Sequence, residues 1–306
     1  MALNFIILIA ISSFWGFAYF FVKVAEESFS PMRLMVGRAL ISAISLILIC
    51  LVLKKDLLRP LVKYRTFIIF SVVGITLPWL GIAYSEEYIS SGLAAALSSS
   101  MPIFTFLMTV LVLRTERFTK FNVAGITIAL VGLFLVIGIN QIISHGSTIL
   151  GALMILGAFL CYAINSILVS VYAKSVDPFV TVTYTIGFGA VLLTILMFIF
   201  ENSESKYMNL NNEGIFSLLA LGVLSTALAF SGFYLLIKRA GPFFPTLLGY
   251  IAPVFGLIAG VIFLDESVDF LQVIGIVLVL IGIVLINKTK FGDLGIKLKS
   301  DSTLGK

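Results

Sequence analysis

The sequence predicts an all-α integral membrane protein of ten transmembrane helices, built as two inverted-topology repeats of five helices. Of its 306 residues, 60% are hydrophobic and only 11% are charged, and the mean hydropathy is +1.16. These values exclude an ordinary soluble domain. The apolar residues fall in windows of about 20, the length that spans a hydrocarbon core about 30 Å thick. The predicted helices cover 4–24, 34–53, 66–85, 91–113, 121–140, 149–171, 179–200, 215–237, 243–264 and 269–287.

The charged residues predict how the chain lies in the membrane. Lysine and arginine concentrate in alternate connections, after predicted helices 2, 4, 6 and 8, and in the C-terminal tail. The opposite connections carry most of the acidic residues, such as Glu26, Glu86 and Glu213. By the positive-inside rule both termini are cytoplasmic, in a multi-pass protein of the cell membrane. The net charge of +5 comes from these loops and does not indicate nucleic-acid binding.

Two segments repeat the same pattern of proline, glutamate and glycine. Pro102 precedes Glu116 by 14 residues, and Pro253 precedes Glu266 by 13. In both segments a glycine follows the glutamate by 9 residues, and another follows that glycine by 7. The glycines are Gly125, Gly132, Gly275 and Gly282. Such agreement indicates an internal duplication.

The duplication extends to the front of each half. Trp15 precedes Pro31 by 16 residues, as Tyr162 precedes Pro178. An odd number of helices in each half places the two copies in opposite orientations across the membrane. Inverted repeats are typical of secondary transporters, whose site lies near the midplane between the halves. We expect a first repeat at 1–141, a second at 142–288 and a cytoplasmic tail at 289–306.

Two prolines point to the binding site. Pro102 and Pro253 each fall near the middle of a predicted span, where proline frees the carbonyl four residues back, here of Ser98 and Gly249. In a membrane a freed carbonyl is tolerated where it meets protein or lines a wet cavity. Equivalent breaks in the two halves therefore favour a substrate cavity at these helices. The alternative is a packing kink in which a serine supplies the missing hydrogen bond.

Polar and aromatic side chains inside the apolar spans are candidates for this cavity, because buried polar groups need partners. Trp79, Tyr84 and Tyr234 could instead belong to the aromatic belt at the membrane interface. Hydroxyls, one amide and aromatic faces suit a small amphipathic molecule. The candidates are Tyr19, Trp79, Tyr84, Ser98, Ser99, Pro102, Tyr162, Asn165, Tyr234, Tyr250 and Pro253.

Arg38 is the most notable single charge, about five residues into predicted helix 2. Three interpretations stay open: it pairs with a substrate carboxylate, it forms a gate with Glu26 or Glu27, or it extends to the lipid headgroups. For Lys23, near the end of predicted helix 1, we expect extension to the headgroups.

The sequence contains no pattern typical of an enzyme. It has no phosphate-binding loop, no zinc-ligand spacing and no nucleophile constellation, so we expect neither catalytic residues nor a metal or other cofactor. Cys50 and Cys161 fall inside predicted helices and indicate no disulfide framework. No acidic residue falls in the middle of a predicted span, which argues against cationic drugs as cargo because their proton-coupled export needs a buried carboxylate.

Glycines spaced by seven lie on one helix face and allow close helix contact in membranes. The contact is either within the chain or between two copies, so the protein is a monomer or a homodimer. The other partners we expect are the lipid bilayer and a small-molecule substrate.

Two stretches resemble the EamA-type module of the drug/metabolite transporter superfamily. The first half contains FWGFAYFFVKVAEESFSPMRLMVGRALISA, and the second contains LGYIAPVFGLIAGVIFLDESVDFLQVIGIVLVLIGIVLI. The resemblance covers about residues 5–287 and implies helices 1–4 and 6–9 around a central cavity, with helices 5 and 10 supporting them. It implies export or exchange of small metabolites, commonly amino acids, and adds Trp15 to the substrate-binding candidates. Cys161 and Tyr162 depart from the family pattern, in which a tryptophan-containing pair is common.

We therefore expect a secondary-active transporter that moves amino acids or related zwitterions outward by alternating access. A sugar-phosphate or nucleotide-sugar exchanger, which needs several cations at the midplane, and a drug exporter are alternatives within the superfamily. A membrane-embedded enzyme or a lipid-handling protein is the alternative outside it.

Overall fold

The structure of this protein is a computed structural model. It describes residues 2–58, 60, 63–89, 93–94, 97–112, 114, 119–137, 146–200, 210–240, 245, 248–263 and 269–286. Glu116, Glu266 and the tail expected at 289–306 lie outside the described residues.

The described residues include ten apolar helices. Six of them, α1, α2, α3, α6, α7 and α8, are long and apolar enough to cross a membrane. The other four coincide with the remaining predicted windows, and the described part of the chain contains no strand, so the all-α membrane fold is confirmed. The helices are α1 (Ala2–Glu26), α2 (Pro31–Val52), α3 (Tyr64–Ser85), α4 (Met101–Leu111), α5 (Lys120–Ile137), α6 (Gly146–Tyr172), α7 (Pro178–Phe200), α8 (Asn212–Ala240), α9 (Leu248–Phe263) and α10 (Phe270–Ile286).

Local sequence fixes where several helices begin. Ser30, in an extended conformation, caps α2 by accepting the Arg33 N–H, and Pro31 occupies the first turn, where its missing N–H costs nothing. Asn211 caps α8 in the same way through the Gly214 N–H. Both caps sit where a loop gives way to an apolar run.

Large apolar side chains remain exposed along the outside of the bundle. On α2 they recur at helical spacing and cover one face: Leu40, Ile44, Ile47, Leu48 and Leu51. An apolar surface of this extent suits hydrocarbon rather than water.

The helices pack symmetrically between the two halves. Helix α1 packs on α9 and α8, and its equivalent α6 packs on α4 and α3. In the same way, α2 contacts α8, and its equivalent α7 contacts α3. The equivalent helices α2 and α7 contact each other, as do α5 and α10. Exchanging the halves therefore leaves the set of contacts unchanged, as expected for repeats related by a two-fold axis.

Helices α5 and α10 show that the repeats are inverted. A Cβ added at Gly132 would lie 2.6 Å from the Gly275 carbonyl oxygen and 2.7 Å from the Val279 nitrogen. At Gly282 the corresponding atoms are the Gly125 carbonyl oxygen at 2.5 Å and the Ala129 nitrogen at 2.7 Å. Later residues of α5 therefore contact earlier residues of α10, so the two equivalent helices run antiparallel. The spaced glycines serve this contact within the chain.

The bundle has two chemically different ends. One end, which we call the acidic face, carries Glu26, Glu27, Glu86, Glu87 and Glu213. The other end, which we call the basic face, carries Lys54, Lys55, Lys63, Lys174 and Lys238. On the acidic face Ser28 Oγ donates to Asn211 Oδ1 at 3.0 Å. On the basic face Lys55 Nζ pairs with Asp177 Oδ2 at 2.9 Å.

Helices α3 and α8 each contain a π-helical turn, Val72–Thr76 in the first half and Val223–Leu228 in the second. The two turns lie at equivalent positions of the repeat. Widened turns of this kind are common at functional sites, and both lie in the middle of their helices.

Candidate functional site

A small cavity lies in the middle of the bundle, between α1, α2, α3, α6 and α9. It has a volume of about 60 Å³, room for a few water molecules but not for a metabolite. The site would therefore have to widen to hold a metabolite. The cavity is lined by Trp15, Ala18, Tyr19, Val22, Arg38, Ile82, Ser98, Phe159, Tyr162 and Ala252.

The wall of the cavity toward the basic face is aromatic. The rings of Trp15 and Tyr162 stack with their centroids 6.3 Å apart. Trp15 also contacts Phe230 at 5.2 Å and Phe233 at 5.4 Å between centroids. We call these four residues the aromatic layer. Because their rings interlock, the layer closes the cavity on that side.

The π-turn of α8 anchors the aromatic layer. Trp15 Nε1 donates to the Ser225 carbonyl oxygen at 3.0 Å, and Ser225 Oγ donates to the Phe14 carbonyl oxygen at 2.7 Å. The π-turn of α3 meets α6 in a related way, since Gly74 lies directly against the Asn165 amide. Each π-turn therefore contacts the first helix of the opposite repeat.

Arg38 is buried at the cavity wall with 5% of its surface exposed. Its Nε donates to Thr226 Oγ1 at 2.7 Å, and its guanidinium lies 4.3 Å from the ring centroid of Trp79. Extension to the headgroups is therefore wrong for Arg38, because α3 and α8 hold the side chain inside the bundle. Thr226 Oγ1 in turn donates to the Leu221 carbonyl oxygen.

Lys23 lies on the acidic-face side of the cavity, next to the lining residue Val22. Its Nζ donates to the Glu86 carbonyl oxygen at 3.0 Å, which joins the end of α1 to the end of α3. The expected extension to the headgroups is wrong here too, because this carbonyl at the end of α3 takes the ammonium. Glu86 is only 1% exposed, and a buried Glu26 Oε1 has no hydrogen bond within the described part of the chain.

Tyr234 and Asn165 lie beyond the aromatic layer, toward the basic face. Asn165 Nδ2 donates to Tyr234 Oη at 3.0 Å, and both side chains are buried. The Tyr234 ring contacts Phe230 and Phe233. These two candidates therefore sit behind the cavity wall rather than on it.

Pro102 acts differently from the expected mid-helix kink, whereas Pro253 lies within α9. Pro102 lies in the first turn of α4, after a 3₁₀ turn at Ser98–Ser100, and the Ser98 carbonyl accepts the Met101 N–H. The expectation of a free Ser98 carbonyl is thus wrong, because the 3₁₀ turn supplies a donor. The Pro102 ring packs on Gly249 of α9.

The other candidates divide into three groups. Trp15, Tyr19, Arg38, Ser98 and Tyr162 line the cavity. Trp79 is fully buried beneath Arg38, and Tyr84 is half-buried on α3 outside the cavity lining. The side chains of Ser99, Tyr250 and Pro253 lie outside the described residues.

Sequence reasoning missed several apolar residues that line the cavity. It also missed two hydrogen-bond partners on α8, Ser225 for Trp15 and Thr226 for Arg38. Val22 follows Trp15 by seven residues and Tyr19 by three, so helical spacing from Trp15 could have found it. Helical spacing could not have predicted Ser225 and Thr226 in the same way, because the π-turn of α8 places them at the site. Among the described residues no group of histidine, cysteine or acidic side chains could hold a metal.

Comparison with known proteins agrees with this architecture. The EamA-like transporter family matches the chain twice, at residues 3–138 and 149–288. The uncharacterized transporter YoaV of Bacillus subtilis is 27% identical over 224 residues, covering 73% of this chain and 75% of that protein. Protein PagO of Salmonella typhimurium is 25% identical over 259 residues, covering 82% of each chain.

The uncharacterized inner membrane transporter YedA of Escherichia coli is 25% identical over 251 residues, covering 81% of this chain and 78% of that protein. One solved crystal structure matches with a TM-score of 0.70 at 17% identity, covering 93% of this chain and 96% of the other, which supports the fold alone. Since the family matches both halves, this chain belongs to the EamA-like transporter family of the drug/metabolite transporter superfamily, and it is a membrane transporter rather than an enzyme.

Proposed function

We propose that this protein is a secondary-active transporter that exports small zwitterionic metabolites, amino acids or close relatives, by alternating access through the central cavity. The observation that carries the proposal is the buried guanidinium of Arg38 at the cavity wall. Within the described residues no carboxylate forms an ion pair with it. A buried charge without a countercharge is costly, and a substrate carboxylate would supply the countercharge with paired hydrogen bonds.

The remaining lining suits the rest of such a molecule. Trp15, Phe159 and Tyr162 offer aromatic surface to an apolar side chain, and the hydroxyls of Tyr19 and Ser98 lie on the same cavity. A single cation favours a monocarboxylate over a sugar phosphate or nucleotide sugar, whose charge calls for several. The cavity must widen to admit the substrate, because its present volume is about 60 Å³.

The symmetry of the halves supports the proposal of alternating access. The aromatic layer closes the cavity toward the basic face, and Lys23 joins α1 to α3 on the acidic-face side. Rocking one repeat against the other would open these contacts in turn, as in other inverted-repeat carriers. The basic face is cytoplasmic by the positive-inside rule, and outward transport is the direction that the family resemblance implies.

The test begins with thermal unfolding of the purified protein in the presence of amino acids, sugar phosphates or cationic dyes. A ligand at 100 times its Kd stabilises the folded state by about 2.7 kcal/mol. We expect stabilisation by amino acids, and counterflow of the same compounds in proteoliposomes.

Both signals should be lost in Arg38→Ala and strongly reduced in Arg38→Lys, since lysine cannot make the paired contact. Arg65→Ala, which removes an exposed arginine on the basic face, is the matched control. Transport of amino acids by Arg38→Ala at the wild-type rate, or stabilisation by phosphates alone, would overturn the proposal.

A further inference from the structure

The basic face contains a second and larger pocket, between α6, α7 and α8. Its volume is about 240 Å³. Lys174 and Lys238, both exposed, lie at its rim, and the buried Tyr234 forms part of its floor. We call this pocket the lysine vestibule. It is distinct from the central cavity, with which it shares no lining residue.

The aromatic layer lies between the lysine vestibule and the central cavity. The Tyr234 ring lies 6.4 Å from Phe230 and 6.1 Å from Phe233, and both of those rings contact Trp15 at the cavity wall. Tyr234 is held in place by the hydrogen bond from Asn165. Joining the two spaces would therefore require Tyr234 and the aromatic layer to move.

The two lysines can be compared with the equivalent positions in the first repeat. Trp15 and Tyr162, like Pro31 and Pro178, are 147 positions apart, so Lys174, which follows the end of α6, corresponds to Glu27. The π-turns of α3 and α8 begin 151 positions apart, at Val72 and Val223, so Lys238 corresponds to Glu87. Equivalent positions thus carry opposite charges on the two faces. On the acidic face Lys23 bridges α1 and α3, whereas on the basic face the vestibule is open.

The chemistry of the vestibule suits a small amphipathic anion. Asp177, the acidic residue next to Pro178 at the rim, is engaged by Lys55 and by the Phe179 N–H, and it also interacts electrostatically with Lys238. Within the described residues neither Lys174 nor Lys238 forms an ion pair. Between the lysines and the floor the wall is apolar, formed by Ala173, Val176 and Ile237.

We infer that the lysine vestibule is the access site for cargo on the basic face, where it binds molecules that combine one carboxylate or phosphate with a short apolar part. The anion lies between the two lysines, and the apolar part lies against the wall that leads to Tyr234. This inference rests on the proposed transport function and adds a second place, on the basic face, where the anionic group of the cargo is bound.

The first experiment measures binding without transport. The purified protein in phosphatidylcholine nanodiscs is acylated with a water-soluble amine reagent, and labelling of each lysine is followed by peptide mass spectrometry. Octanoate should slow labelling of Lys174 and Lys238 and leave Lys54, on the same face, unchanged. Octanol, which lacks the charge, should protect neither lysine. Equal protection of Lys54, or no protection by octanoate, would overturn the inference.

A lipid headgroup is the other source of the same chemistry, and the membrane composition distinguishes it. In nanodiscs containing phosphatidylglycerol we expect octanoate to protect the two lysines as before. If phosphatidylglycerol alone gives full protection and octanoate adds nothing, the vestibule is a lipid site and the inference is wrong.

The second experiment links the vestibule to transport. In proteoliposomes the double variant Lys174→Gln/Lys238→Gln should raise KM for uptake from the basic face about tenfold, with little change in the maximal rate. The control, Lys54→Asn/Arg65→Gln, removes the same charge from the same face outside the pocket and should leave KM unchanged. Equal KM values for the two double variants would refute the access role. Transport could also persist in both Arg38→Ala and the vestibule variant while octanoate still protects the two lysines. That result would count against the proposed central site.

Discussion

Trp15 and Tyr162 occupy equivalent positions in the two repeats and stack on each other, with ring planes inclined by 18°. Two equivalent residues can touch only at the axis that relates the halves. This stack therefore marks the centre of the molecule, with the central cavity on one side and the lysine vestibule on the other. Any movement of one repeat against the other must displace it.

The first expectation concerns this stack. Stacked aromatic pairs contribute about 0.5–1.5 kcal/mol beyond the burial of their surface. A double-mutant cycle of Trp15→Ala and Tyr162→Ala, measured by thermal unfolding in detergent, should give a coupling energy in this range. Tyr162→Phe keeps the ring and should retain the coupling. Additive effects of the two alanine variants would mean that the rings do not stack in solution.

The second expectation concerns the contact between α5 and α10. A methyl group at Gly132 would meet backbone atoms of α10 at 2.6 Å and 2.7 Å, so Gly132→Ala should destabilise the fold by about 1–3 kcal/mol. Gly157→Ala is the matched control, because a Cβ there meets nothing within 4 Å. The control should be neutral or stabilising, since alanine favours helix by about 1 kcal/mol over glycine. Similar unfolding temperatures for the two variants would contradict the close antiparallel packing.

The third expectation separates stability from function at Arg38. Replacing a buried charge by an apolar side chain of similar size is often neutral or stabilising, so Arg38→Met should unfold at the wild-type temperature or above it. Thr226→Val removes the acceptor but keeps the charge, and it should destabilise by about 1–3 kcal/mol. Arg38→Met should nevertheless lose the response to amino acids. A strong loss of stability in Arg38→Met would indicate a structural role instead.

The fourth expectation concerns the Lys23 bridge. Val22 lines the central cavity and is 2% exposed, so a cysteine there reports on access from the acidic face. In a Val22→Cys protein whose Cys50 and Cys161 are replaced by serine, Lys23→Met should speed labelling by a membrane-impermeant maleimide about tenfold.

Lys63→Met is the control for the Lys23 bridge, because Lys63 also donates a hydrogen bond between connections of the two repeats, to Ser175, but on the basic face. Equal labelling rates in the two variants would show that Lys23 does not close the cavity.

The fifth expectation is a pH dependence on the basic face. Partial burial raises the pKa of the Asp177 carboxyl, but the hydrogen bonds from Lys55 and the Phe179 N–H outweigh it, so this pKa lies below its usual value. A carboxyl with a lowered pKa stabilises the fold above its unfolded-state pKa of about 3.9 and loses that effect as the pH falls through the folded-state value.

Wild-type protein should therefore be more stable than Asp177→Asn at pH 7, and the difference should be lost as the pH falls through the lowered pKa of Asp177. Both side chains of the Lys55–Asp177 pair are about one-third exposed, so the difference should be at most about 1 kcal/mol and should shrink with added salt. Chemical unfolding of the two proteins between pH 3 and pH 7 measures it. A stability difference between the two proteins that grows as the pH falls would contradict the expectation.

Much of the site was visible in the sequence, because its residues are unusual for a membrane span. Tyr19, Arg38, Ser98 and Tyr162 are polar or aromatic groups in apolar helices, and all four line the cavity. Trp79 was also identified, yet it supports Arg38 from behind. Composition can mark a side chain as buried, but the face of the bundle that it meets depends on how the helices are rotated.

The sequence by itself determined the helices, the duplication and the opposite orientation of the halves, since apolar length, repeated spacing and an odd number of spans are all properties of the linear chain. Only the tertiary structure decided what the repeats bring together. The Trp15 indole meets the Ser225 carbonyl across 210 positions, and this contact exists because a π-turn in α8 offers that carbonyl to α1. Bonds of this kind depend on the packing of helices distant in sequence, which no local pattern encodes.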